Sequence, residues 1–381
     1  MNYRMTALLA SAAFTLAAGS AFAQTAPAPA AAPAPPAPPS LMPAMSASLA
    51  ANGSPMSYDF GPLGNKVYVT GALTGIALTE NNPVKGDFAN QADIDNAQVI
   101  INKADGLVQY FVQVGAYSIP ALATPYVKSG VATNANYGIV PQGYVKLQPT
   151  AAFSVEAGKL PTLIGAEYTF SYENLNIERG LLWGAEPAVS RGVQANYTQG
   201  PVAVSVSLND GLYSNQYNTV SGLATWTVTP TDTLAFAGTG STKYTGFSAA
   251  NNQTLYNVMY THTMGPWTFN PYFQYDTIPA YKSVGQLSDQ TITSGALLVN
   301  YAFDSKSSLS GVSLPLRVEY ESSTGFQAYN AYSVTFTPTY QYKIYFIRGE
   351  VSYVDANVAV FGVNGTEKSQ TRGLVETGVL F

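Results

Sequence analysis

The sequence predicts an all-β fold: a transmembrane, antiparallel, up-and-down β-barrel of about 16 strands (range roughly 14–18), with short periplasmic turns and long extracellular loops. Three observations predict it. The first is alternation. Between residues 314 and 353, Leu316, Val318 and Tyr320 alternate with Arg317, Glu319 and Glu321. Tyr332, Val334 and Phe336 alternate with Ala331, Ser333, Thr335 and Thr337, and Tyr345, Ile347, Val351 and Tyr353 with Phe346, Arg348, Glu350 and Ser352. A period of two means strands with one apolar and one polar face. Soluble sandwiches alternate as well. Here, however, the polar face carries Arg and Glu and the apolar face ends in Tyr, as in a wall with water inside and lipid outside.

The second observation is composition. Only 10% of the 381 residues are charged, where about a quarter is usual for a soluble domain. Aromatics reach 12%, with 27 Tyr against 3 Trp. No uninterrupted apolar run approaches the roughly 18 residues of a membrane-spanning helix. Sparse charge without such runs suits a barrel, whose hydrophobicity is hidden by alternation. The net charge of −5 argues against a nucleic-acid partner. There is no cysteine, so disulfide staples and thiolate metal sites are excluded.

The third observation is the order of the connections. In chain order, residues 1–23 read as a cleavable secretory signal: Arg4 supplies the positive start, 7–18 a short apolar core, and Ala21-Phe22-Ala23 a small-x-small cleavage site. Residues 24–64 follow as an Ala/Pro-rich, disordered periplasmic tether, since repeated proline favours an extended spacer over a packed element. From residue 65 to 381 sixteen candidate strands succeed one another: 67–78, 97–103, 107–117, 144–148, 151–159, 189–198, 202–209, 222–229, 233–241, 254–263, 267–276, 291–303, 315–322, 329–337, 342–354 and 372–381. Short turns at 104–106, 149–150, 199–201, 230–232, 264–266 and 338–341 alternate with longer segments at 79–96, 118–143, 160–188, 210–221, 242–253, 277–290 and 355–371. The connection 304–314 is intermediate and falls on the short side. A sandwich has no reason to keep that order along the whole chain. An even strand count also leaves both chain ends on the periplasmic rim. Pro271 interrupts its apolar face and predicts a bulge or local irregularity.

The stretch from Gly158 to Glu167, with Asn174, Arg179-Gly180-Leu181-Leu182, Glu186-Pro187, Arg191-Gly192-Val193 and the earlier Gly61-Pro62-Leu63-Gly64, resembles the β-barrel porin-2 family, the OmpL-like porins of Gram-negative bacteria. Val379 and Phe381 resemble the terminal signal that the outer-membrane assembly machinery reads. The resemblance implies a bacterial outer-membrane porin that sits in outer-membrane lipid; small hydrophilic solutes or ions are the expected cargo of an open lumen, not something the resemblance specifies. A homo-trimer is expected only by analogy with other sixteen-stranded porins.

A diffusion channel needs no reacting group, only a lumen and whatever narrows it; about sixteen strands leave an aqueous channel. The connection 160–188 is too long for an idle loop. It is expected to fold into the lumen as a constriction carrying Glu167, Glu173, Glu178, Arg179 and Glu186, with Leu181, Leu182 and Trp183 against the wall; the alternative is an extracellular cap. On the wall, Lys146, Glu156, Arg317, Glu319, Arg348, Glu350, Arg372 and Glu376 have lumen parity. They read either as a transverse field across the pore or as paired charges that only neutralise one another. Tyr68, Tyr117, Trp267, Tyr301 and Tyr353 are assigned to interfacial girdles, in preference to a slide for sugars.

No catalytic residue is expected. The one histidine, His262, has outward parity near a turn, and a lone His without Cys leaves no metal site or cofactor. Besides the diffusion channel, two readings stay open: an outer-membrane anchor with a periplasmic Ala/Pro arm, and a sugar-selective channel.

Overall fold

A computed structural model describes residues 48–64 and 66–381. The signal and most of the Ala/Pro tether lie outside the described residues. Sixteen antiparallel strands close into one barrel: β1 (Val67–Glu80), β2 (Asn90–Lys103), β3 (Val108–Tyr117), β4 (Gln142–Leu147), β5 (Phe153–Pro161), β6 (Val189–Gln199), β7 (Val202–Asn209), β8 (Thr219–Thr229), β9 (Asp232–Ser241), β10 (Thr254–Met264), β11 (Trp267–Ile278), β12 (Gln290–Ala302), β13 (Val312–Gly325), β14 (Tyr329–Phe336 continuing as Thr339–Tyr342), β15 (Tyr345–Ala356) and β16 (Ser369–Leu380). Each pairs with its sequence neighbours, and β16 returns to β1 in the register Leu374↔Leu78 and Leu380↔Ala72. Alternation is the physical cause. In β13 the side chains of Arg317 and Glu319 are buried while Val318 and Tyr320 stay exposed to what would be lipid.

The seam is finished by the chain ends. The backbones of Gly71 and Phe381 exchange two hydrogen bonds of 2.8 and 3.0 Å. A Cβ on Gly71 would stand 2.3 Å from the Gln98 carbonyl oxygen and 2.5 Å from the Phe381 ring, so only glycine lets β16 end against β1. Beyond Phe381, the short strand Met56–Tyr58 pairs with Val67–Val69 and covers edge that would otherwise stay unpaired. These residues had been expected to belong to the tether. Gly71→Ala should therefore lower the heat-resistant, folded fraction of the protein recovered from membranes. A folded yield equal to wild type would count against the seam.

Differences from the expected boundaries have local causes. β2 begins at Asn90, not 97, because a bulge opposite Thr74 and Gly75 carries Asp95. The register shift turns both Asp95 and Asn96 inward. The expected turn at 338–341 is strand; Pro338 only splits β14, and the true turn is 343–344, where Lys343 takes a φ of 56°. Opposite Pro271 the β10–β11 ladder loses two pairs without a shift, Met259↔Tyr272 resuming at His262↔Phe269. A missing N–H explains the gap. Tyr117 does not join a girdle; it is buried inside, edge-on to Phe170 at 5.3 Å. Trp267, Tyr301 and Phe303 do cluster on one another near the short-turn rim.

Candidate functional site

The longest connection, 162–188, leaves the wall where Pro161 pairs with Val189 and folds into the barrel. Its apolar residues explain a feature of the wall that alternation alone does not. Strands β8 to β12 turn Leu223, Ala235, Leu255, Met259 and Leu298 toward the lumen, and Leu163, Ile164, Tyr168, Leu175 and Leu182 of the loop pack on them. On the same side Asn257 accepts the Gly165 N–H at 3.1 Å, and the Gln274 amide donates to the Leu182 carbonyl at 3.0 Å.

The adjoining wall, β13 to β16, holds the loop by charge. Arg317 binds Glu167 at 2.5 Å and Glu319 at 3.0 Å, and donates to the Glu178 carbonyl at 2.7 Å. Glu350 accepts the backbone N–H groups of Ile177 and Glu178 at 2.5 and 3.0 Å. Arg348 pairs with Glu376 at 2.5 Å and donates to the Asn174 carbonyl at 3.0 Å. Arg372 bridges Glu80 of β1 to Glu178 of the loop, the latter at 2.8 Å. Two glycines make these approaches feasible. A Cβ on Gly165 would lie 1.8 Å from the Glu186 carboxylate, and one on Gly180 would lie 2.0 Å from that of Glu319.

Wall residues Arg317, Glu319, Arg348, Glu350, Arg372 and Glu376 thus meet Glu167, Glu178 and the loop backbone in one buried network. Lys146 and Glu156 stand apart as register partners on β4 and β5, where Glu156 accepts from Gln194 at 2.8 Å. Arg179 is fully buried and spends its guanidinium on the loop's own carbonyls, Thr169 at 2.8 Å and Ile177 at 2.5 Å. Burial lowers it to about 10, against the pull of Asp95 and Glu167. Glu186 is buried with one carboxylate oxygen unpartnered; burial first, then Glu167 and Glu319, push it well above the usual carboxylate range. Glu173 is only partly covered and makes no ion pair among the described residues. Burial raises it to about 8, while the Phe170 N–H and Arg179 pull the other way.

Sequence reasoning missed Glu80, Asp87, Asp95 and Ser171. Ser171 donates to Glu376 at 2.6 Å and also hydrogen-bonds Asp95, so it joins the loop to both sides of the seam. The signal was present as the polar alternation of Asp93 and Asp95 just before the apolar part of β2. Residues 48–50 were missed too. Leu49 is buried among Phe346, Leu380 and Phe170. Ala50 exchanges hydrogen bonds of 2.6 and 2.7 Å with the Gln341 amide, and Ser48 donates to the Leu175 carbonyl of the loop at 3.4 Å. His262 sits on the outer face beside the turn 265–266, with Nδ1 2.7 Å from Asp232.

A closed sixteen-stranded barrel with a long loop drawn inside and pinned to strands from β10 round to β2 has the architecture of an outer-membrane channel. The chain belongs to the family described as "Putative beta-barrel porin-2, OmpL-like", which matches residues 66–381. No curated protein matches it. Among solved structures it is similar to the anion-selective porin from Comamonas acidovorans, with a TM-score of 0.59 at 10% identity over 83% of this chain and 99% of that one. OmpT of Vibrio cholerae gives 0.58 at 11% identity over 86% and 100%, and a trimer form of that protein is described. The outer membrane channel DcaP of Acinetobacter baumannii gives 0.57 at 11% over 86% and 100%. At such identities the likeness is one of fold.

Proposed function

We propose that this chain is an outer-membrane porin passing small hydrophilic solutes or ions by diffusion, and that 162–188 is its constriction. The observation that carries the reading is the loop itself: it is held by Asn257 of β10 and Gln274 of β11 and, eight strands round the barrel, by Asp95 and Gln98 of β2, so a solute in the lumen passes beside it. Arg317, Arg348 and Arg372 then act as a clamp on the loop rather than as free charges facing solute, since each is engaged by a carboxylate and a loop or neighbouring carbonyl. The direct test is purified protein in a planar bilayer. Stepwise ion conductance supports the channel; a silent protein that is demonstrably folded refutes it. Residues 1–23 act as the export signal and 24–47 as a periplasmic arm in this reading. A homo-trimer is part of it too, and cross-linking in detergent would give a trimer band.

Glu173 makes the channel sensitive to pH. Its raised value of about 8 keeps it neutral at pH 7 and ionised above pH 8. Cation preference should therefore climb as pH rises through 8, and Glu173→Gln should flatten the climb. A wild-type preference that is constant across this window would remove Glu173 from the solute path.

One observation favours a second reading, a barrel stoppered from the periplasmic side. Ser48–Ala50 lies inside the mouth with Leu49 buried. Deleting residues 24–52 should raise conductance if this segment obstructs flow. If only the deleted form conducts, the anchor reading replaces the open channel; identical conductance with and without the segment leaves it a mere seam contact. A sugar slide is not supported: of the aromatics weighed for it, Trp267 faces outward, and Tyr117, though inside, is fully buried against Phe170.

A further inference from the structure

Above the inserted loop, on the long-loop side, the barrel holds an open-mouthed cavity of about 1120 Å³. Sites for small molecules run to roughly 300–1,000 Å³, so this one accommodates a drug-sized molecule with water to spare. Its lining is unusual for a water-filled mouth. Leu181, Ile278, Ile292, Val354 and Phe361 make much of the wall, and among the described residues no lysine or arginine is present in the lining. Two carboxylates do line it, Asp276 of β11 and Glu321 of β13.

Asp276 is the informative one. It is fully buried, and neither carboxylate oxygen has a hydrogen-bonding side chain or a counter-ion among the described residues. The charged group that acts on it is another carboxylate, Glu321. Glu321 is held in place by Ser294 at 3.2 Å and by the Tyr329 hydroxyl, both neutral donors. Elsewhere in this lumen Arg317, Arg348 and Arg372 each sit within ion-pair distance of a glutamate. The Thr277 N–H is the donor that acts on Asp276; a buried carboxylate with neither a side-chain donor nor a counter-ion is rare in folded proteins and calls for an occupant that supplies the missing donors.

We propose that this vestibule binds an organic cation: a protonated amine whose N–H groups go to Asp276 and Glu321 and whose apolar body lies on the Leu181–Ile292–Phe361 wall. A bare divalent ion fits less well. It needs six or more oxygen ligands, and no group of three acidic or histidine side chains suited to a metal exists among the described residues. An anion finds no lysine or arginine to pair with in the lining among the described residues. As a route across the membrane the proposal rests on the channel reading; as a binding site it does not.

The test uses the full chain in lipid nanodiscs with phenethylammonium as the probe, and 2-phenylethanol and 3-phenylpropanoate as neutral and anionic counterparts, read by titration calorimetry at low salt. The ammonium should bind, the alcohol more weakly, and the carboxylate not at all. Asp276→Asn should weaken the ammonium by about tenfold, the loss of one charge-assisted hydrogen bond. Glu321→Gln, which keeps an acceptor for Tyr329, should weaken it less, and Ile292→Trp should weaken alcohol and ammonium alike by filling the wall. Should Asp276→Asn fail to fold, the other two variants decide. Equal binding of alcohol and ammonium, or affinity unchanged in every folded variant, overturns the proposal, as does binding of calcium alone with the same variant dependence. Binding by a protein that carries no current would retain the site and dismiss the channel; current without binding would do the reverse.

Discussion

Removing residues 168–185 should raise the single-channel conductance severalfold while the barrel still folds. The deletion is tolerable because Pro161 and Val189 are already cross-strand partners, so 162–167 and 186–188 remain as an ordinary connection between β5 and β6. The wall does not collapse either. Arg317 keeps Glu319, Arg348 keeps Glu376 and Arg372 keeps Glu80, and water entering the vacated lumen solvates what the loop leaves behind. What goes is the obstruction: Phe170, Trp183 and Leu182, all buried between the loop and the wall inside the barrel. Conductance equal to wild type in a folded deletion protein would mean that solute never passes the loop, and the constriction would have to be placed elsewhere.

The second large effect concerns stability. Arg372 neutralises Glu80 and Glu178, with Asp87 3.6 Å away, and its guanidinium also serves the carbonyls of Ala121 and Thr124. Arg372→Met should cost about 3–5 kcal/mol, the usual penalty for leaving a buried charge without its partner, measured by denaturant unfolding in detergent micelles. Adding Glu80→Gln and Glu178→Gln to it should restore much of the loss, since the stranded charges are then gone. A single-variant loss below about 1 kcal/mol, the range of an exposed pair, would show that the lumen hydrates this network and that it does not clamp the loop. The same result would weaken the case for a fixed constriction.

The expected architecture and its strand count were legible because they depend on neighbours. Alternation is read at i and i+2, turn residues lie within a few positions, and the long-short order of connections needs only a ruler. The paired Gly200-Pro201 and Gly265-Pro266 turns, both with the glycine at φ 57°, show how local that information is. Errors fell where one residue disturbs the period: the bulge at Asp95 hid the start of β2, and Pro338 imitated a turn within β14. Tyr117 was misplaced because an aromatic at a strand end looks the same whether it meets lipid or an inserted loop.

The sequence alone therefore settled that this chain is a barrel with water-side and lipid-side faces, which family it resembles, and which long segment stood out as a candidate constriction. Tertiary structure decided where that segment lies and what the wall charges do. Glu178 and Arg372 are 194 residues apart in the chain yet 2.8 Å apart in space. Nothing in the period of a strand records which charge faces it across a lumen. Closure of the barrel creates that proximity, because only then do Leu163, Leu182 and the wall patch bury each other and bring the loop's carboxylates within reach of the arginines.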